Sequence, residues 1–172
     1  MRTLFLLFTL TMLPLSPAHA GFAEWITGKK TLGWAEKVYV YDSDMTMRAR
    51  IDTGAYLSSI NASSIEIKDG ATKSDPQRVT FDIINEHGEK QKVERELVRW
   101  AQIKKKGTAG YIKRPVVHLK MCIAGQILES EVTLGNRSRF IYPVLIGRNM
   151  LREEKFVVDS SERYTHKPDC GQ

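Results

Sequence analysis

At 172 residues the chain holds one domain with a sizeable core, and neither an internal repeat nor a low-complexity tract divides it further. Its two cysteines permit at most one internal disulfide. A formal charge of +6 favours contact with acidic peptides, anionic lipid or cell-wall polymer and does not by itself argue for nucleic acid.

Met1-Arg2, the apolar run from Leu4 to Leu15 and Ala18-His19-Ala20 have the order of an export signal over residues 1–20, with cleavage after Ala20. The run is too short to span a bilayer comfortably, so no stable membrane span is expected after cleavage; an uncleaved anchor is the competing reading. Export predicts a periplasmic protein, in a compartment that permits disulfides. Cys122 and Cys170 then either pair, joining an interior strand to the C-terminal tail, or stay a buried thiol and a free one.

Residues 21–31 read as a leading segment with a short helical stretch around Phe22 to Ile26. Strand signals follow. Lys37 to Tyr41 alternates, and Met47 to Ile51 leads into an acidic turn. Arg78 to Ile84 and Lys92 to Val98 flank Asn85-Glu86-His87-Gly88-Glu89, a hairpin candidate. Pro115 to Ile123 and Ile127 to Leu134 flank Ala124-Gly125-Gln126, a second one. Tyr142 to Ile146 is a continuous apolar run suited to a fully buried strand. Gly147 ends it, Arg148 to Glu154 has the composition of one or two helical turns, and Phe156 to Asp159 closes as a last strand. Many short strands with almost no helix predict a mostly β, barrel-like domain.

Two patterns in this frame carry chemistry. Asp52-Thr53-Gly54-Ala55 puts a carboxylate, a hydroxyl and a glycine at a strand-to-loop turn, and Pro143 to Leu151 supplies an apolar-apolar-Gly strand able to cradle it. Around them lie ordered blocks: Leu32 to Glu36, Ser58-Ser59, Arg114 to Val117, and Glu131 to Leu134 with Arg137. On these residues the chain resembles the retropepsin-like aspartic proteases. Within them it is similar to the bacterial branch labelled ATP-dependent zinc proteases, some cytosolic members of which accompany a ribosomal-protein glutamate ligase and trim its polyglutamate product. The resemblance covers residues 32–164 and leaves 165–172 as a C-terminal tail. It implies a retropepsin-like closed β barrel, one half of an acid protease, with one short helix after the Gly block.

Aspartic proteolysis uses two carboxylates about 3 Å apart that share one proton, because like charges so close do not both ionise; one of them activates water as a general base. The chain has one Asp-Thr-Gly, and Asp42-Ser43-Asp44 and Asp159-Ser160-Ser161 lack the Gly. The resemblance therefore implies a homodimer that cuts a peptide or protein substrate with Asp52 and its symmetry mate as the catalytic pair. Thr53 would bond across the two-fold axis and Gly54 would admit backbone amides. Ala55 offers no hydroxyl, which favours weakly acidic or neutral activity. Gly147 would sit beneath the turn, and Arg148 would support the turn and the dimer through an ion pair. Arg114 and Arg137 match family positions and read either as structural ion-pairing residues or as a basic lining for acidic substrate. Asn149 and Met150 are expected only to shape the helix. The flap over the substrate falls in Asn85 to Gln91 or in Gly107 to Gly110, the second being favoured.

No cofactor is expected. Neither His-Glu-x-x-His nor a Gly-x-x-x-x-Gly-Lys phosphate loop occurs. His118 and Cys122, four apart on one strand face, are too few ligands for zinc and read as core packing. Gly-x-Ser-x-Gly is absent as well. Two non-enzymatic readings stay open: an exported peptide-binding or regulatory module on the same scaffold, and a cell-envelope protein holding acidic polymer through its positive charge.

Overall fold

The computed structural model describes residues 28–171 apart from 73, 105, 106 and 108. The expected export signal and the helical stretch around Phe22 to Ile26 lie outside the described residues. The fold is mostly β, with 54% of the described residues in strands and 4% in helix.

Six strands close into a barrel: β2 (Ala35–Val40), β3 (Met45–Ile51), β4 (Ser58–Lys68), β8 (Tyr111–Ile123), β9 (Gln126–Gly135) and β10 (Val144–Ile146). Closure depends on β10, which runs parallel to β3 and antiparallel to β4, so that Val144 faces Ala49 on one side and Ile60 on the other. A three-residue strand with partners on both edges has no polar face to offer, which is why this stretch of sequence is continuously apolar. On β3, Met47, Ala49 and Ile51 point into the core while Arg48 and Arg50 point out, as the period of two requires. Val117, Leu119 and Met121 do the same on β8, in one buried cluster with Phe81, Leu134 and Ile146.

The β8–β9 hairpin turns through Ala124 and Gly125, both at positive φ (50° and 77°), the backbone of a two-residue turn that suits strand twist. β5 (Arg78–Ile84) and β6 (Lys90–Glu96) form the other expected hairpin, joined by a turn in which Asn85 Oδ1 accepts the N–H groups of His87 and Glu89. Three strands lie beyond the sequence expectation, the short β1 (Thr31–Gly33) among them. β4 carries Ser58, Ser59 and Asn61 as buried residues, so its pattern is not apolar alternation. β7 (Arg99–Lys104) pairs only with β8, and an edge strand shows no buried periodicity to read. The helix α1 (Arg148–Glu153) follows β10 at once.

A second, two-stranded sheet pairs β1 (Thr31–Gly33) in parallel with β11 (Val157–Asp159). Beyond β11 the chain lies as a strap across β1 and β2. Trp34 N–H donates to Glu162 C=O at 2.8 Å and Tyr164 N–H to Ala35 C=O at 2.7 Å. Gly33 permits this crossing, since a Cβ there would stand 2.6 Å from the Glu162 carbonyl oxygen. The Glu36 carboxylate, 1% exposed, accepts the N–H groups of Gly33, Thr165 and His166 and the Thr165 hydroxyl. Cys170 ends the strap in a disulfide with Cys122 on β8. His118 does not share the burial of Cys122: it is exposed, because the strap covers only the Cys122 end of that strand face.

Opening the disulfide, whose partners are 48 residues apart, is expected to lower stability by about 2–4 kcal/mol, seen as a thermal midpoint about 5–15 °C lower. Cys170→Ala and chemical reduction of the wild type should give the same fall, and reduction should leave the variant's midpoint unmoved.

Candidate active site

β3 delivers Asp52 to the barrel rim. Ile51 N–H donates to Trp34 C=O at 3.0 Å, and Asp52 N–H to Ile146 C=O at 2.9 Å. The side chain then folds back over its own loop, with Oδ1 accepting the N–H of Gly54 at 2.9 Å and that of Ala55 at 3.1 Å. Two amides on one oxygen fix the plane of the carboxylate. Gly54 allows so tight a loop, since an added Cβ would stand 3.1 Å from Asp52 Oδ1. Asp52 and Ala55 are half-buried; Thr53 and Gly54 are exposed, and Tyr56 after them is 60% exposed.

The corner between β10 and α1 lies directly beneath. Arg148 N–H donates to Ala55 C=O at 2.9 Å and Asn149 N–H to Tyr56 C=O at 3.0 Å. Arg148 Nη1 reaches the carbonyls of Thr53 and Gly54 at 2.7 and 2.9 Å. Main-chain carbonyls thus take the place of the carboxylate partner expected for Arg148. The reversed turn aims its C=O groups at the corner, and the two N–H donors of the single Nη1 nitrogen answer both of them.

Asn149 does more than shape the helix. Its Oδ1 accepts the N–H and the hydroxyl of Ser58, both at 2.9 Å, and its Nδ2 donates to Ser130 Oγ at 3.0 Å and Glu131 C=O at 2.8 Å. Ser58 Oγ in turn accepts Gly147 N–H at 3.0 Å. Ser58 thus has both a donor and an acceptor for its buried hydroxyl, as most buried hydroxyls do. Ser59, also buried, leaves its hydroxyl unpaired among the described residues.

Arg137 lies within electrostatic reach of the carboxylate, and Arg114 within reach of Arg137. Arg137 is 8% exposed; its N–H donates to Asn61 Oδ1, its Nε to Tyr142 C=O, and its guanidinium lies 4.8 Å from the Phe140 ring centroid. Burial, reinforced by the cation of Arg114, pushes Arg137 below the ordinary arginine range, and the negative charge of Asp52 draws it back up. Arg114 lies flat over Gly135, where a Cβ would meet its Cζ at 2.8 Å. Among the described residues neither arginine belongs to an ion pair. An open cleft of about 420 Å³ adjoins Arg137, walled by Arg48, Ile84, Glu86, Phe140 and Ile141. At the base of the β7–β8 ribbon, Arg99 holds Glu131 through both carboxylate oxygens.

The two flap candidates differ in attachment. The Asn85 to Gln91 turn is fastened to β3, with Glu86 taking both Arg48 N–H and Arg48 Nε. Gly107 to Gly110 sits at the tip of the β7–β8 ribbon and is described only in part. Among the described residues no group of three His, Cys, Asp or Glu side chains is placed to hold a metal ion.

Comparison with known proteins gives two findings. The RimB-like family model, described as retropepsin-like aspartic endopeptidase RimB, matches residues 31–169. The crystal structure of Lpg0085, a protein of unknown function (DUF785) from Legionella pneumophila subsp. pneumophila str. Philadelphia 1, is similar at 31% identity and a TM-score of 0.66, covering 80% of this chain and 98% of that one. No curated protein matches the chain.

Gly147→Ala would place a Cβ 2.7 Å from the carbonyl carbon of Leu57, main chain against main chain. The expected destabilisation is about 1–3 kcal/mol, read as a lower urea midpoint at unchanged slope. Hydrogen bonding and charge from Arg99 hold the Glu131 carboxyl below its ordinary range. The pair therefore stabilises the fold above the pKa of an unfolded Glu, about 4.3, and that contribution fades as pH falls through the lower folded value. Glu131→Gln should flatten the acid limb of a stability-against-pH curve relative to wild type.

Proposed function

This chain belongs to the RimB-like family of retropepsin-like aspartic endopeptidases, and from that premise we propose that it is an exported endopeptidase acting as a homodimer. The observation that carries the reading is the Asp52 carboxylate, oriented by two amides on a loop whose Thr53 and Gly54 lie open at the surface. A second copy docked there across a two-fold axis supplies the other carboxylate, with Thr53 bonding across the axis.

Of the two carboxyls one is ionised and one protonated. The ionised one takes a proton from water, whose oxygen attacks the scissile carbonyl carbon, while the protonated one hydrogen-bonds to and protonates the carbonyl oxygen. Collapse of the tetrahedral species breaks the C–N bond: the leaving nitrogen takes the proton that the base carboxyl received from water, and a hydroxyl of the diol returns its proton to the other carboxylate. Gly147, Arg148 and Ala55 keep the turn in place throughout.

Substrate selection follows from charge. Arg137, within electrostatic reach of Asp52, and Arg114 beside it are guanidinium groups outside any ion pair among the described residues, so an acidic side chain of the peptide is the group they complement. The export signal sets the periplasm as the place of action and separates the chain from the ribosomal substrate of cytosolic relatives.

The test takes the processed protein, wild type beside Asp52→Asn, against a mixed peptide library over about pH 4 to 8, with sedimentation to give the mass. Cleavage by wild type alone, from a dimer, is expected. Silence from both with a folded monomer would replace the protease reading by a peptide-binding module. Arg137→Gln should raise KM for acidic peptides about 10-fold or more, the size of a lost charge-assisted hydrogen bond, and leave neutral peptides little changed.

A further inference from the structure

The geometry points to Asn149 as a positioning residue for the Asp52 turn, a role that rests on the catalytic reading of Asp52 above. The turn is strung between Ile51, the end of β3, and Ser58, the start of β4. Its first half is tied to the β10–α1 corner by main-chain bonds from Asp52, Ala55 and Tyr56 and by the Arg148 guanidinium. Its far end is tied by Ser58, and both side-chain and main-chain groups of Ser58 converge on Asn149 Oδ1.

One carboxamide thereby joins three elements. It accepts twice from β4, donates twice to β9 at Ser130 and Glu131, and is itself carried on α1, whose first turn holds the loop carbonyls. The amide uses both acceptor sites and both donors, the full capacity of an Asn side chain. Aspartate in its place would keep the Ser58 bonds and set a carboxylate oxygen against the Glu131 carbonyl, which has only acceptor capacity. Alanine would leave Ser58 without its acceptor and Glu131 C=O without this donor. Either change breaks the tie from the far end of the turn to β9, so the whole turn moves more freely, the Gly54 and Ala55 amides on Asp52 Oδ1 included. A catalytic pair tolerates little of such movement: displacement by about 1 Å costs about 100-fold in rate.

Asn149→Asp and Ser58→Ala are the test variants, each measured in two ways. With the peptide that wild type cuts, kcat should fall about 10- to 100-fold while KM moves less than about 3-fold, since peptide contacts are untouched. By NMR, the Gly54 and Ala55 amides should exchange about 10-fold faster or more, while amides of the β8–β9 hairpin keep wild-type protection. An unchanged kcat in folded variants would overturn the role. So would a uniform loss of protection across the barrel, which would make Asn149 a general stabiliser. If wild type cuts nothing, the protease reading falls on its own, and selective loosening of Gly54 and Ala55 still decides whether Asn149 positions the turn.

Discussion

Gly147 passes so close beneath Leu57 that main chain meets main chain, with a Cβ there standing 2.7 Å from a carbonyl carbon. Much of the structure is arranged around keeping that approach. β10 must be short, apolar and paired on both edges to bring the glycine to the barrel rim. The helix that starts immediately afterwards then presents two successive N–H groups, from Arg148 and Asn149, to the carbonyls of Ala55 and Tyr56. A helix start has free N–H groups by construction, so the corner grips the loop with donors that any helix must leave unpaired. A larger residue at 147 would lift the corner away and unfasten these contacts together.

The grip is polar at nearly every point, and that explains how much of it could be read from residues alone. The strands of the barrel announce themselves where burial alternates, as at Met47, Ala49 and Ile51 or along Lys37 to Tyr41. Asp52, Gly54 and Gly147 were visible because glycine beside an acidic turn is a local demand. β4 escaped because its buried residues include Ser58, Ser59 and Asn61, which hydropathy scores as surface. Asn149 escaped for the same reason, since the groups it bonds lie 18 to 91 residues away in sequence. Arg148 was legible as a support but its partners were not. A guanidinium is drawn to carboxylates by charge and to carbonyls by geometry, and only the folded turn shows which is nearer.

The arginines give the site its electrostatic character. Placing Arg137 in a buried position beside Arg114 is unfavourable on both counts, desolvation and like charge, and the negative charge of Asp52 offsets only part of it. Arg137 is held by the Asn61 side-chain oxygen, which accepts its N–H, and by the Tyr142 carbonyl, which accepts its Nε, and the pair leaves a local excess of positive charge that the Asp52 carboxylate only partly offsets. A bound anion would relieve both terms. The protein's overall positive charge acts in the same direction at longer range, drawing acidic molecules toward the surface before any specific contact forms.

The strap over β1 and β2 also sets the order in which the chain can become native. Glu36 lies near the beginning of the fold, yet two of its hydrogen-bonding residues, Thr165 and His166, are 129 and 130 positions further on. Until those residues have emerged, a carboxylate destined for the interior still needs water, and β1 lacks β11 beside it. The early strands therefore wait on the last ones, and native structure at one end of the chain cannot be completed before the other end arrives. Folding of this kind is dominated by contacts distant in sequence, and it proceeds slowly and as a whole rather than strand by strand during synthesis.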